Sequence, residues 1–301
     1  MTDTITIREL KTMPELNATV DLQRAVWGMH DVEVSSPHTL RAIVHSGGAV
    51  IGALALGCAG SPGSRSHRPP TQTANTDPQH SHGESEGRLV GFCFGFAAPR
   101  NGELWLWSHM AAVHPDFQGR GIGFQLKQAQ REWALARGYR WMAWTFDPMQ
   151  AGNANFNFNR LGVTVRRYSV NHYGDMQDGL NAGLASDRLE AQWELDAPQV
   201  LTLADDTHRS CEHGLSGVIK LVYVDEDRAI RRVQPASTGK AVYGIEIPAN
   251  IAELKQRDIE RAKQWQLQLR EAMTDLLAKG YVISGFLRAG ESGFYLLSLT
   301  G

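Results

Sequence analysis

The segment Gln118-Gly119-Arg120-Gly121-Ile122-Gly123 constrains this chain more than any other. It follows an apolar, strand-like stretch, residues 104–113, and opens a helix-like one, residues 124–137. Glycines at such a junction leave the backbone bare. The first N–H groups of a helix have no intrahelical acceptor, and the macrodipole adds positive potential there, so the turn suits an anion. Phosphate is the expected ligand, and the spacing narrows its kind. A Walker loop needs Lys followed by Ser or Thr after its last glycine; here Phe124-Gln125 follows Gly123. A dinucleotide fingerprint needs G-x-G-x-x-G. Gly119 and Gly121 fit it, but Phe124 stands where the third glycine belongs. A glycine turn with no ligand is the structural alternative.

The flanks favour a ligand site. Ile122, Leu126, Ala129 and Trp133 form one apolar helical stripe, and Gly138 stops the helix. Residues 139–146 carry Trp141, Met142, Trp144 and Phe146 on both faces, as a strand covered on both sides requires. A second helix is expected over 150–161. Upstream, residues 5–9 form a strand. Thr12 and Glu15 make a capping-box pair around Pro14. A helix follows to about residue 27, then a short one from Ser36-Pro37 to residue 44, then a strand over 49–56. Residues 59–87 are rich in Gly, Ser, Pro, Thr and His and lack large apolar side chains. They are expected to be a flexible insertion, because they bury too little to offset ordering entropy. Arg100-Asn101-Gly102 signals a hairpin turn leading into a strand over 103–113.

The pattern Gln118-x-x-Gly121-x-Gly123, preceded by Val113-His114-Pro115, resembles the pyrophosphate loop of the GNAT superfamily of N-acyltransferases. The resemblance spans about residues 5–175. It is closest from Trp107 onward, through Ser108-His109-Met110, Trp144-Thr145-Phe146-Asp147-Pro148, Asn153-Ala154, Arg160-Leu161-Gly162 and Asn171-His172-Tyr173-Gly174. These segments are similar to a stand-alone bacterial subfamily, some of whose members acylate amino acids, in certain cases from succinyl-CoA. The resemblance implies an α/β fold with a GNAT-type mixed sheet flanked by helices. It implies acetyl-CoA or another acyl-CoA as cosubstrate, with the pyrophosphate on Gln118, Gly119, Arg120, Gly121, Ile122 and Gly123. Where the strand before the loop splays from its neighbour, backbone groups of Ala111 and Val113 would pair with the pantetheine arm. Asn153 and Asn157, four apart on one helix face, would bond its amides or cap the helix.

Acyl transfer to an amine needs N–H donors for the oxyanion and a base for the amine proton. His109, near the end of the strand, is the first base candidate, with a packed histidine as the alternative. Glu103 lies on the same face at the strand's far end. Asp147 would hold a cationic amine or merely open a turn with Pro148. Many family members carry a tyrosine four residues before a helix-ending glycine to protonate the thiolate; here that position is Phe158. Tyr173 or Tyr168 would replace it. Arg160, Arg166 and Arg167 offer a carboxylate clamp for an amino-acid acceptor or a succinyl donor.

Beyond residue 187 the resemblance fades. The expected organisation is a GNAT acyl-CoA-binding domain, 1–186, and a smaller C-terminal α/β extension, 187–301. The extension would shape the acceptor pocket, dimerise, or both, so a homodimer stays open. It has strands near 189–195, 216–224 and 241–247, a loop over 235–239, a long helix over 251–279 capped by Asn250 and Glu253, and a hairpin at 281–287 and 294–299.

Charge is nearly balanced, 30 Lys+Arg against 32 Asp+Glu, so no nucleic-acid partner is expected. No apolar run reaches the roughly 18 residues that span a membrane. Cys58, Cys93 and Cys211 show no metal spacing and fit buried or free thiols in a reducing cytoplasm. His67, His80 and His82 are irregularly spaced, and no metal is expected. The leading function is transfer of an acyl group from coenzyme A to a small-molecule amine. The alternatives are a non-catalytic acyl-CoA sensor and a protein N-acetyltransferase.

Overall fold

A computed structural model describes residues 4–28, 33–57, 87–100, 102–174, 183–205, 215–226, 229–234 and 241–299. Cys58, Cys211, His67, His80, His82, Asn101, the loop 235–239 and, save Gly87, the insertion 59–87 lie outside the described residues.

β1 (Thr4–Glu9) leads to α1 (Met13–Trp27), whose start is closed by Thr12 and Glu15 in a reciprocal capping box. Ser36 caps α2 (Pro37–His45) by accepting from the Thr39 N–H. β2 (Ala49–Leu56), β3 (Arg88–Arg100) and β4 (Glu103–Val113) form an antiparallel meander with β1 at its edge. α3 (Ile122–Leu135) carries the chain over to β5 (Trp141–Phe146), which lies parallel to β4. Then come α4 (Ala151–Asn155), a π-helical turn (Phe156–Leu161) and β6 (Thr164–Ser169).

β7 (Arg188–Glu194) inserts between β5 and β6, antiparallel to both. The division expected after residue 186 therefore falls inside the sheet rather than at an edge. After α5 (Pro198–Asp205) come β8 (Val218–Val224), β9 (Ile230–Arg232) and β10 (Val242–Pro248). The long helix expected over 251–279 is two helices, α6 (Ile251–Arg257) and α7 (Ile259–Ala278). Asp258 divides them: its extended backbone ends α6, and its carboxylate caps α7 through the Arg261 N–H. β11 (Tyr281–Ala289) and β12 (Ser292–Leu299) close the chain as a hairpin.

All twelve described strands form one sheet, ordered β1-β2-β3-β4-β5-β7-β6-β11-β12-β10-β8-β9. The order contains a repeat. β4 runs parallel to β5, β5 antiparallel to β7, and β7 antiparallel to β6. β8, β10, β12 and β11 show the same succession, and the two sets join where Val165 of β6 pairs with Ile283 of β11.

Alternation along the strands feeds two cores. Val50, Phe92 and Phe94 pack with Leu16 and Leu40 beneath α1 and α2. Ile51, Cys93 and Leu106 face Leu126 of α3 on the other side. Both faces of β2 and β3 are thus covered, which is why these strands read as nearly unbroken apolar runs.

Candidate active site

β4 and β5 are paired only through Trp105–Trp141, Leu106–Met142 and Trp107–Ala143. From Ser108 and Trp144 onward the two strands part. The resulting cleft of about 860 Å³ is lined by Ser108 to Val113 of β4, Trp144 to Phe146 of β5, the glycine turn and the α4 segment. Parting leaves backbone groups of β4 without a ladder partner on the β5 side, the condition under which an extended ligand can pair as an added strand.

The mouth is the glycine turn. Gly119 and Gly121 have φ of 74° and 76°, values that disfavour any side chain, and a Cβ at either would meet nothing within 4 Å. Gly121 is the N-cap of α3, and no side chain there bonds the first N–H groups of α3. Gln118 ties the turn to its strand by donating from Nε2 to the Val113 carbonyl at 3.1 Å. His114 is structural: its Nδ1 accepts from the Asp116 N–H, and its Nε2 lies 2.9 Å from Arg88. Of the turn residues expected at the pyrophosphate, Gln118, Gly119, Gly121, Ile122 and Gly123 line the cleft. Arg120 does not; its guanidinium lies 4.7 Å from the centroid of Phe117.

His109 occupies a bulge. Phe94 pairs with Met110 and Gly95 with Ser108, so His109 is the extra residue of β4. A Cβ on Gly95 would come within 2.8 Å of the Trp107 carbonyl oxygen, so the bulge needs glycine opposite it. The bulge turns the imidazole toward Phe94 and Phe96, with ring centroids 5.2 and 6.1 Å away. Partial burial there holds its pKa below the ordinary histidine value, which favours the neutral ring. Ala111 and Val113 complete the cleft wall on the same strand.

The opposite wall is α4 and the π-helical turn. Asn153 and Asn157 both line the cleft. Asn157 is 2% exposed, and its Nδ2 has no acceptor in the protein. A buried donor left unbonded is costly, so a ligand carbonyl in the cleft is its natural partner. Phe158, at the position where the resemblance implies a thiolate-protonating tyrosine, is buried against Phe146 and Tyr295 and is not part of the lining.

The remaining sequence candidates separate. Asp147 is absent from the lining; its carboxylate accepts from the Met149 N–H at 2.8 Å, and burial raises its pKa. It serves the turn after β5. Tyr173 is half exposed, but its hydroxyl lies 3.2 Å from Thr145 Oγ1, and Thr145 lines the cleft. Tyr168 donates to Asp187 at 2.6 Å in a network with Arg270, and burial drives its phenol far above the ordinary range, so it is no acid for a thiolate. Arg160 lines the cleft, whereas Arg166 and Arg167 are exposed on β6. Glu103 lies exposed at the far end of β4.

Lys127, Ser108 and Trp144, none of them given a site role by the sequence, meet where β4 and β5 part. Lys127 is 4% exposed and has no ion pair among the described residues. It donates to Ser108 Oγ at 3.0 Å and Gln130 Oε1 at 3.1 Å, and its Nζ sits 3.7 Å from the centroid of Trp144. Ser108 Oγ in turn donates to Gln130 Oε1 at 2.8 Å. A signal existed: Lys127 follows Leu126 on the helix face turned to the sheet, where a lysine is unusual.

No group of three His, Cys, Asp or Glu suited to a metal occurs among the described residues, and no described helix is long and apolar enough to cross a membrane.

Residues 51–162 match the acetyltransferase (GNAT) family. No curated protein matches the chain. Three solved structures illustrate the wider likeness. An aminoglycoside acetyltransferase from an uncultured soil metagenomic sample, in complex with sisomicin, is 15% identical over 50% of this chain and 84% of its own, with a TM-score of 0.37. The protein yncA from Salmonella typhimurium, with its cofactor acetyl-CoA, is 17% identical over 64% and 94%, with a TM-score of 0.43. The ribosomal-protein-S18-alanine N-acetyltransferase from Escherichia coli is 15% identical over 64% and 96%, with a TM-score of 0.42. The family match ends at Gly162, just past the turn that forms the cleft's second wall, and so takes in the parted strands and the glycine turn together. Residues 51–162 thus carry the likeness to the acetyltransferase (GNAT) family, and that match supports an acyl-CoA-dependent acetyltransferase.

Proposed function

We propose that the protein transfers an acetyl or succinyl group from coenzyme A to the amine of a small molecule, an amino acid being the leading candidate, by direct attack in a ternary complex. One observation carries the reading: a single cleft runs from an uncapped helix N-terminus to the point where two parallel strands part. Gln118, Gly119, Gly121, Ile122 and Gly123 are suited to a pyrophosphate, and Ala111, Val113, Asn153 and Asn157 to the amides of the arm behind it. The bound thioester supplies an activated carbonyl.

The protein's own residues supply the proton chemistry. His109, held neutral by its surroundings, accepts the proton of the attacking amine. An α-amine lies about one pK unit above neutrality, so its deprotonation costs only about 1.4 kcal/mol. A base weaker than ordinary histidine is enough for that acceptor. Because the His109 pKa is lowered, the acid limb of activity is expected below the ordinary histidine pKa of about 6.5. Tyr173, bonded to Thr145 at the rim, is the remaining hydroxyl for the leaving thiolate. Arg160 in the lining is a partner for a carboxylate on acceptor or donor.

The C-terminal half supports a role in shaping the acceptor pocket. Tyr295 donates to the Pro148 carbonyl and Asn159 to the Phe286 carbonyl, at 2.8 and 2.9 Å, bracing the segment that walls the cleft. The test is a screen of acetyl-, succinyl- and longer acyl-CoA against the amino acids, with thiol release and mass detection of the N-acyl product. Thiol release with protein N-termini but with no small amine would overturn the small-molecule reading.

A further inference from the structure

The ammonium group expected of Lys127 has no anionic neighbour among the described residues, yet the residue lines the acyl-CoA cleft. Its partners are a hydroxyl, an amide oxygen, the Met142 sulfur at 3.5 Å and the indoles of Trp144 and Trp193. None of these carries charge. A buried lysine that served structure alone would be held by a carboxylate, because an unpaired buried cation is strongly disfavoured. Replacement of the ion by the free amine relieves that cost and leaves a nucleophile.

Position adds to this. Ser108, to which Lys127 donates, is the first residue of β4 beyond the last β4–β5 pair, Trp107–Ala143. Lys127 therefore stands at the closed end of the cleft, where the parted strands meet. The glycine turn holds the opposite, open end. A ligand anchored by its diphosphate at the mouth points its far terminus toward the lysine.

We infer that Lys127 is a self-acylation site: the protein takes an acyl group from bound acyl-CoA onto its own buried amine. This rests on the reading of the cleft as an acyl-CoA site. The Nζ lone pair attacks the thioester carbonyl carbon. The C–N bond forms, the C–S bond breaks, and the coenzyme A thiolate leaves and takes up the proton released by the amine. The product is an amide, a far poorer acyl donor than the thioester. It is therefore an end state that occupies the closed end of the cleft rather than an intermediate of turnover.

The ionisation of the group agrees. Burial pushes the Lys127 pKa down to about 7. The titratable group facing it is Cys93 of β3, whose own burial raises the thiol to about 12 and keeps it neutral. Since the free amine is the reactive form, acylation at saturating donor is expected to run about tenfold faster at pH 8 than at pH 6.

The experiment incubates the full chain with acetyl-CoA or coenzyme A, follows intact mass, and locates any adduct by peptide mapping. Binding of coenzyme A is measured in parallel by calorimetry. One acetyl group at Lys127, ahead of exposed Lys263 and Lys279 and absent after heat denaturation, is the expected result. Lys127→Arg and Lys127→Met are expected to bind coenzyme A and take no acetyl group there. Wild-type protein that binds coenzyme A and carries no acetyl group at Lys127 overturns the inference while leaving the cleft reading intact. Failure to bind coenzyme A overturns both.

Discussion

The molecule contains the same strand succession twice, and only one copy opens. In the N-terminal copy β4 and β5 separate after three pairs, and the connection between them is a glycine turn and α3. In the C-terminal copy β8 and β10 are likewise parallel, but the described part of their connection holds β9 and no helix. The place where the second pair would part is filled. Glu246 of β10 is 6% exposed and accepts from the Val224 N–H of β8 at 3.1 Å and from the Ser292 hydroxyl of β12. A carboxylate from within the sheet satisfies backbone of the kind that, in the other copy, is left without a ladder partner. The lesson is that strand order alone does not make a site. An open seam needs unpaired backbone, a turn that can hold an anion at its mouth, and no side chain that fills it.

The largest expected effect tests whether the copies stand as one unit. Asp187, 1% exposed, receives Arg270 from α7, the Tyr168 hydroxyl and the Asn171 N–H. Asp187→Ala leaves those donors without their acceptor and is expected to destabilise the fold by about 3 kcal/mol. Urea unfolding should show one transition moving to lower denaturant; two separated transitions would mean that the copies unfold independently.

Next is the chemistry peculiar to the open copy. His109→Ala is expected to lower kcat by about a hundredfold with coenzyme A affinity kept, as removal of a general base does. An unchanged kcat would return His109 to a packing role. The wild-type acid limb should lie below pH 6.5, since a lowered pKa keeps the ring unprotonated further into acid. A smaller effect is expected at the mouth. Gly121→Asp adds a negative charge and a side chain at φ 76°, and coenzyme A binding should weaken about thirtyfold by calorimetry. Affinity equal to wild type would place the diphosphate elsewhere.

The smallest effect sharpens the contrast from the closed copy. Glu246→Ala removes the acceptor that bridges β8 and β12 and should cost about 1–2 kcal/mol in unfolding experiments, with coenzyme A affinity unchanged. Gain of a second coenzyme A per chain in that variant would show that the seam is a masked site.

Much of this was legible in the residues. The glycine turn was, because φ near +75° at Gly119 and Gly121 demands a residue type that spacing reveals. The helices announced themselves through paired caps, Thr12 with Glu15 and Asn250 with Glu253. Other features were hidden. The bulge at His109 depends on Gly95 of the neighbouring strand, and no local pattern links the two. Asp258 splits α6 from α7 within an apolar period that reads as unbroken. The placement of β7 between β5 and β6 joins what local similarity separates, because strand partners are chosen across the sheet and not along the chain. Asp147 and Tyr173 show the same limit: spacing put Asp147 at the C-terminal end of β5 and left the Tyr173 hydroxyl unplaced, while side-chain direction sent one into a turn and the other to the rim.

Sequence by itself determined the glycine turn, the strand before it, the helix after it and the likeness of residues 51–162 to the acetyltransferase (GNAT) family. Each rests on local backbone preference or periodicity, which neighbouring residues dictate. Tertiary structure alone decided which seam opens, that Lys127 meets Ser108 and Trp144 at its closed end, and that Glu246 shuts the matching seam. Those outcomes depend on which groups remain unsatisfied once distant strands have paired, and that balance exists only in the folded sheet.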